Sequence, residues 1–287
     1  MTLLVLGATG LLGQAFLAEA SKQGITARGA ARRQADIALD ITDPDALAAT
    51  LEAERPDIIV NCAALVDVAA CEADIGLAYR INAEPLITLA QWSRKTGAKL
   101  VHVSTDHYFA GNGPIPHNED APITVFNQYA ATKLAGERFA ALNAEALTLR
   151  TSIVGMRGWE KPSFAEWAIQ AVLQDQEMTL FADAYTSSID TGSFARAALT
   201  LARRGTSGVL NLAAREIYSK EAFIRAIADE LGVELTKSSS GSVAALDPPR
   251  PKSLGLDVSR AAALLDHPLP DLPQVVRTLV DAYRSRK

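Results

Sequence analysis

Along the chain, short runs of leucine, isoleucine and valine alternate with longer stretches whose apolar residues recur every three or four positions. Leu3–Leu6, Ile25–Arg28, Ile58–Asn61 and Leu100–Ser104 read as strands, with helical patterns over Leu11–Gln23, Pro44–Arg55 and Gly76–Thr96. This alternation predicts βαβ units, hence an α/β fold with a doubly wound parallel sheet covered on both faces. Ala146–Val154 and Val209–Ala213 read as two later strands. Ser163 is placed to cap a helix over Phe164–Gln174, and Thr191 or Ser193 to open one reaching Arg204. Ser219 caps Lys220–Leu231, which stops at Gly232. The stretch SSSGSVAALDPPRPKS (238–253) is rich in serine, glycine and proline and predicts a loop.

The first strand runs directly into three glycines in LLVLGATGLLG, at Gly7, Gly10 and Gly13. Glycines let the backbone turn tightly and approach a diphosphate, while a helix N-terminus supplies N–H donors and a positive dipole. The turn therefore predicts a dinucleotide site over Gly7, Thr9, Gly10, Leu11, Leu12 and Gly13. At the end of the second strand an NAD site usually carries an acidic residue for the ribose 2′-hydroxyl. None lies between Ile25 and Gln34, where TARGAARRQ offers Arg28, Arg32 and Arg33 instead. A guanidinium suits a 2′-phosphate by charge and by its fork of donors, so NADPH is expected, with NADH the lesser alternative. Asp40 and Ile41 in LDITD, and Cys62, Ala63 and Ala64 in NCAA, follow the third and fourth strands and complete the expected cofactor contacts.

Composition narrows the classes further. The 287 residues are 48% hydrophobic and 21% charged, ordinary for a globular protein with a substantial core. A net charge of −5 argues against a nucleic-acid surface. No apolar run approaches the roughly 18 residues needed to cross a bilayer. MTLLVLGATG lacks the basic start of a secretory signal. Cys62 and Cys71 make neither a disulfide framework nor a metal cluster, so buried thiols in a reducing cytoplasm are expected.

In YAATK, Tyr129 and Lys133 lie one helical turn apart, 24 residues beyond Thr105. Tyrosine alone, with a pKa near 10, is a sluggish acid at neutral pH. An ammonium one turn away favours the phenolate and can hold the nicotinamide ribose hydroxyls. A Thr105 hydroxyl can donate to a carbonyl oxygen as it gains charge. Together the three can bind, polarise and protonate a ketone oxygen.

With these residues the chain resembles the extended short-chain dehydrogenases/reductases, and within them the dTDP-4-dehydrorhamnose reductase family. LGATGLLG, LDITD, PDIIVNCAALVDVAACE, INA, STDHYFAG, NQYAATKLAGE, LRTSIVG and RPKSLGLD carry the likeness, in the family's order. The resemblance implies a Rossmann domain over residues 1–155, joined by a strand near 209–214, and a mostly substrate-binding part over 156–287. It implies Thr105, Tyr129 and Lys133 as the catalytic residues, and Asn82 either as support for the lysine beside the cofactor or as a helix-packing amide. Ser104, Thr105, His107, Arg250 and Lys252 are the expected contacts to a nucleoside-diphosphate sugar, the two basic residues suiting its diphosphate. A homodimer is compatible with the family, with no nucleic acid or membrane partner.

The chain also departs from the family. His107, Tyr108 and Ala110 stand at the variable places of its STDYVFDG motif, and AYTSSIDT (184–191) replaces its usual FGSPT-like turn. Some relatives bridge a dimer through magnesium by a glutamate early in the first helix; Ala15 stands there, so no metal is expected. Trp159 could stack on a base or sugar, whereas the spacing of Trp167 with Phe164 and Ala171 predicts core. His102, inside a strand, reads as a core histidine. The expected activity is NADPH-dependent reduction of the 4-keto group of a nucleotide-linked deoxy sugar. Two alternatives stand beside it: another carbonyl substrate, or a non-catalytic NADP(H)-binding regulatory subunit.

Overall fold

The computed structural model describes residues 1–158, 161–246 and 251–286. Strand β1 (Thr2–Leu6), buried from Leu3 onward, leads through the glycine turn into α1 (Leu11–Lys22), then β2 (Thr26–Ala31) and β3 (Ile37–Ala38). Helix α2 (Pro44–Glu54) starts at Asp43, whose carboxylate accepts from the amides of Asp45 and Ala46, both at 3.0 Å. Pro44 fits the first turn because it has no N–H to leave unpaired. Strand β4 (Ile58–Asn61) follows.

The single helix expected over Gly76–Thr96 is instead three: α3 (Val68–Ala73), α4 (Ile75–Asn82) and α5 (Pro85–Thr96). Asp67 and Asp74 cap the first two by accepting from Ala70 and Leu77, and Pro85 breaks the run because its ring cannot continue a helix. Strand β5 (Lys99–Val103), α6 (Gln128–Ala140) and β6 (Leu147–Arg150) come next. The segment expected as one strand, Ala146–Val154, divides into β6 and β7 (Ile153–Val154).

Helix α7 (Phe164–Leu173) has the expected cap: the Ser163 hydroxyl accepts from Glu166 N while the Glu166 carboxylate accepts from Ser163 N. Strands β8 (Met178–Phe181), β9 (Tyr185–Thr186) and β10 (Ile189–Asp190) precede α8 (Thr191–Arg203), β11 (Gly208–Asn211) and β12 (Tyr218–Ser219). Helix α8 begins at Thr191, one of the two expected starts, and the Asp190 carboxylate just before it accepts from Ser193 N at 2.8 Å. Helix α9 (Lys220–Leu231) runs from its Ser219 cap to a left-handed Gly232. Strands β13 (Ser238–Gly241) and β14 (Ser253–Leu254) and helices α10 (Ser259–Leu264) and α11 (Leu272–Arg284) complete the chain. The expected loop over 238–253 is thus partly sheet, because β13 finds a parallel partner in β8 and β14 one in β9.

The central sheet has seven strands in the order β11-β6-β5-β4-β1-β2-β3, and the pairings from β1 to β6 are parallel. Strand order reverses between β1 and β4, which in open α/β sheets is where ligands bind beyond the carboxyl ends. The chain forms two compact units. The first comprises residues 1–105, 125–150 and 195–210, with a core of Leu4, Leu6, Leu47, Leu51, Ile59, Leu86 and Leu100. The second comprises 106–124, 151–194 and 211–287, where α7, α9 and α11 pack through Ile169, Phe223, Ile227, Val276 and Leu279. The chain therefore crosses between the units several times. No helix among the described residues is long and apolar enough to cross a membrane.

Candidate active site

The glycine turn lies at the switch point. Gly7, at φ +78°, donates to Ala30 O of β2 at 2.9 Å, and a Cβ there would stand 2.7 Å from Ala63 N. A Cβ on Gly13 would meet Gly7 O at 2.3 Å, so only glycine lets α1 start this close to the turn. Gly10 opens α1 with no side-chain cap, and no acidic residue occupies the first turn. The helix thus presents its amide donors and positive end unneutralised, which fits a dinucleotide diphosphate. The loop after β4 is held by Asn61, whose side-chain oxygen accepts from Ala63 N at 3.2 Å. It brings Cys62 and Ala63 beside Gly7, with Ala64 following, and burial pushes the Cys62 thiol well up.

The basic residues after β2 separate into two groups. Arg28 is committed elsewhere: its guanidinium meets Glu54 at 2.7 Å and donates to Asp36 O. Arg32 and Arg33 stand exposed just past the strand. Arg32 lies near Asp40, whose carboxyl is held below its usual range chiefly by hydrogen bonds from Thr42, with Arg32 adding. Asp36, two residues beyond the stretch searched for an acid, spends a carboxylate oxygen on Gly29 N at 2.8 Å.

Helix α6 carries Tyr129 and Lys133. Asn127 caps it, accepting from Ala130 N at 2.8 Å, so its first turn is fixed. Tyr129 is buried against Cys71 and Ala78. The Lys133 ammonium is buried and donates to Val103 O at 2.7 Å, at the end of β5. Burial lowers its pKa to about 8, opposed by the negative charge of Glu137 and by Cys62. His102 lies beneath it in β5, kept neutral by burial and by the Lys133 charge. It is a core histidine, but only Nδ1 has a neighbour, the Asn61 amide at 3.4 Å; Nε2 has no hydrogen-bond partner among the described residues.

Ser104 and Thr105 follow Val103 and are buried. Ser104 donates to the Glu137 carboxylate at 2.7 Å, so the segment ending in Thr105 is tied to α6 on both sides of Ser104 N. Glu137 and its partner Arg150 are the residues that motif reading missed; the signal was the one-turn spacing of Lys133 and Glu137 in YAATKLAGE. The Asn82 side-chain oxygen accepts from Leu65 N, and its amide nitrogen donates to Leu65 O and to the hydroxyl of Thr132, the residue before Lys133.

The remaining candidates belong to the second unit. His107 is half-buried, 3.9 Å from Asp106. Lys252 is paired with Asp183 at 3.0 Å, which leaves it less available for a diphosphate than its sequence suggests. Arg250 and Trp159 lie outside the described residues. Trp167, expected in the core, is 43% exposed beside Phe164, because α7 turns that face outward. Among the described residues no group of three or more His, Cys, Asp or Glu could hold a metal ion.

A phenol and a buried ammonium on the helix tied to β5, beside a sheet whose switch point holds a glycine turn, place the protein among the short-chain dehydrogenases/reductases of extended type. The profile of the RmlD substrate binding domain family matches residues 1–285. A dTDP-4-dehydrorhamnose reductase of Mycobacterium tuberculosis is 33% identical, over 88% of this chain and 82% of its own length. A Haloferax volcanii protein named for a low-salt glycan biosynthesis reductase is 28% identical over 97% of both chains. The structure of a Bacillus anthracis dTDP-4-dehydrorhamnose reductase in complex with NADP superposes with a TM-score of 0.87 at 25% identity, covering 98% of this chain and 97% of that one. The chain belongs to the dTDP-4-dehydrorhamnose reductase family.

Proposed function

We propose that the protein reduces the 4-keto group of a deoxy sugar carried on a nucleoside diphosphate, using NADPH. As a member of this family it is an NADP-dependent oxidoreductase. One observation supports the assignment most: Lys133, buried one turn from Tyr129, is bonded to the strand end that leads into Thr105. When bound, NADPH supplies the hydride for the keto carbon. Tyr129 gives its phenolic proton to the oxygen that becomes a hydroxyl. Lys133 lowers the cost of the phenolate left behind and is placed to hold ribose hydroxyls. Thr105 donates to the same oxygen while its charge grows. Gly7, Gly10 and the uncapped start of α1 receive the diphosphate, and Arg32 and Arg33 receive the 2′-phosphate.

The substrate reading is supported by the family and its named members, one of which is named a dTDP-4-dehydrorhamnose reductase. His107, in place of the family's tyrosine, is a candidate contact for the sugar. Loss of reduced-nicotinamide absorbance against a panel of nucleotide-linked 4-keto sugars tests the reading. Turnover of dTDP-4-dehydrorhamnose or a close isomer is expected. A protein that binds NADPH but reduces no member of the panel is not this enzyme.

A further inference from the structure

Glu137 lies one turn beyond Lys133 and two beyond Tyr129 on α6, and its carboxylate joins three elements. Oε1 accepts from the Ser104 hydroxyl at 2.7 Å and from Arg150 Nε at 3.0 Å; Oε2 accepts from Arg150 Nη2 at 2.8 Å. The carboxylate and guanidinium side chains are only 3% and 4% exposed. Ser104 N also donates to Leu149 O at 2.7 Å, closing the link between the ends of β5 and β6. Val103 and Ser104, the two residues before Thr105, are thus each bonded to α6, one by Lys133 and the other by Glu137.

A buried ion pair is a poor device for stability alone. Apolar side chains of similar volume often serve as well or better, because two charges lose their hydration. Something else has to account for an Arg–Glu pair at this place. We propose that Glu137, clamped by Arg150, is a positioning residue for the reduction, fixing Ser104–Thr105 and Lys133 against one another along α6. This rests on the reading of Thr105, Tyr129 and Lys133 as the reacting groups. Removing the carboxylate would take away the Ser104–Glu137 bond, leaving Lys133 to Val103 O as the remaining described tie from α6 to this segment.

The charge matters as well as the hydrogen bonds. Several titratable or charged groups surround the Lys133 ammonium. Tyr129 and Glu137 share its helix, Cys62 follows β4, His102 sits in β5, and Arg150 in β6 stands behind Glu137. Of these, Glu137 does most to offset the burial that lowers Lys133. An ammonium that has lost its proton can neither favour a phenolate nor donate three hydrogen bonds. Glu137 therefore helps keep the lysine charged where the tyrosine needs it.

The test compares wild type with Glu137→Asp, Glu137→Gln and the double variant Glu137→Gln/Arg150→Met, which avoids stranding a lone buried guanidinium. Two readouts are taken. The first is titration of Lys133 in the ligand-free protein, by pH-dependent acetylation and peptide mass spectrometry, and it needs neither substrate nor cofactor. The second is the pH profile of kcat and of KM for dTDP-4-dehydrorhamnose. In the double variant, Lys133 should titrate at lower pH than in wild type. The alkaline limb of kcat should move with it, kcat falling on the order of 10²-fold with KM little changed. Glu137→Asp, which keeps the charge, should restore the titration midpoint. A purely structural role predicts a lower melting temperature with both Lys133 titration and the shape of the pH profile unmoved, and that result overturns the proposal. If wild type turns over no sugar nucleotide but Lys133 still shifts, the substrate assignment falls and the role of Glu137 stands.

Discussion

Tyr129→Phe removes one hydroxyl and leaves a buried ring packed against Cys71 and Ala78. The variant should fold, keep its melting temperature within a degree or so and still bind NADPH, while kcat falls roughly 10²–10⁴-fold, the usual loss of a positioned acid. Near-normal turnover would remove the phenol from the chemistry. Lys133 gives a prediction in which activity and stability part company. Its pKa is about 8 in the folded protein against 10.5 when free. Between those values the unfolded chain binds more protons than the folded one, so this group's contribution to stability rises with pH, by on the order of 3 kcal/mol in all. Activity that needs the ammonium falls over the same window. Denaturation of wild type and Lys133→Met at pH 7.5 and pH 10 isolates the effect, and a stability difference that does not change with pH would refute it. At this scale the sequence shows chemistry well and pairing poorly. Tyr129, Lys133 and the glycines are legible because their spacing is local. The ion pairs of Arg28 with Glu54 and of Lys252 with Asp183 are not visible in the sequence, because the partners come from distant segments. Glu137 and Arg150 went unseen for the same reason.

Among the elements, α6 matters most to the site, and its start depends on one cap. Asn127 accepts from Ala130 N, and Gln128 N is taken by the Glu72 carboxylate at 2.8 Å. Tyr129 lies in that first turn. Asn127→Ala should cost about 1 kcal/mol, while Asn127→Ser, which can still accept, should recover most of it. Chemical denaturation reads the difference; equal losses for the two variants would show that the amide caps nothing of consequence. Helices with such caps were legible in advance: α7 and α9 begin where Ser163 and Ser219 said they would. Elements set by distant partners were not. Nothing local in SSSG announces a strand, and β13 exists because β8 offers an open edge in register. The break before α5 has a local signal in Pro85, set within apolar periodicity that runs on either side of it. Trp167 fits a helical core pattern by spacing alone, but spacing does not say which face of α7 finds a partner.

At the scale of the whole molecule, the chain passes repeatedly between the two units. The chain leaves the first unit after Thr105, returns at Val125, leaves again after Arg150, and re-enters for residues 195–210. Helix α8 begins in one unit and continues in the other without interruption. Its first turn, Thr191–Phe194, lies in the second unit and the rest in the first, so its hydrogen-bond ladder runs from one into the other. The protein is therefore expected to unfold in one transition despite its two cores. The parts assigned to the cofactor, from the glycine turn to Lys133, all belong to the first unit. If the units are coupled, NADPH bound there should stabilise the entire chain. At a hundredfold excess over Kd the gain is about 2.7 kcal/mol, or roughly 4–5 °C for a chain of this size. Calorimetry with and without NADPH checks both statements at once. A single endotherm that moves up intact is expected. Two endotherms, of which NADPH moves only one, would show that the shared helix does not couple the units.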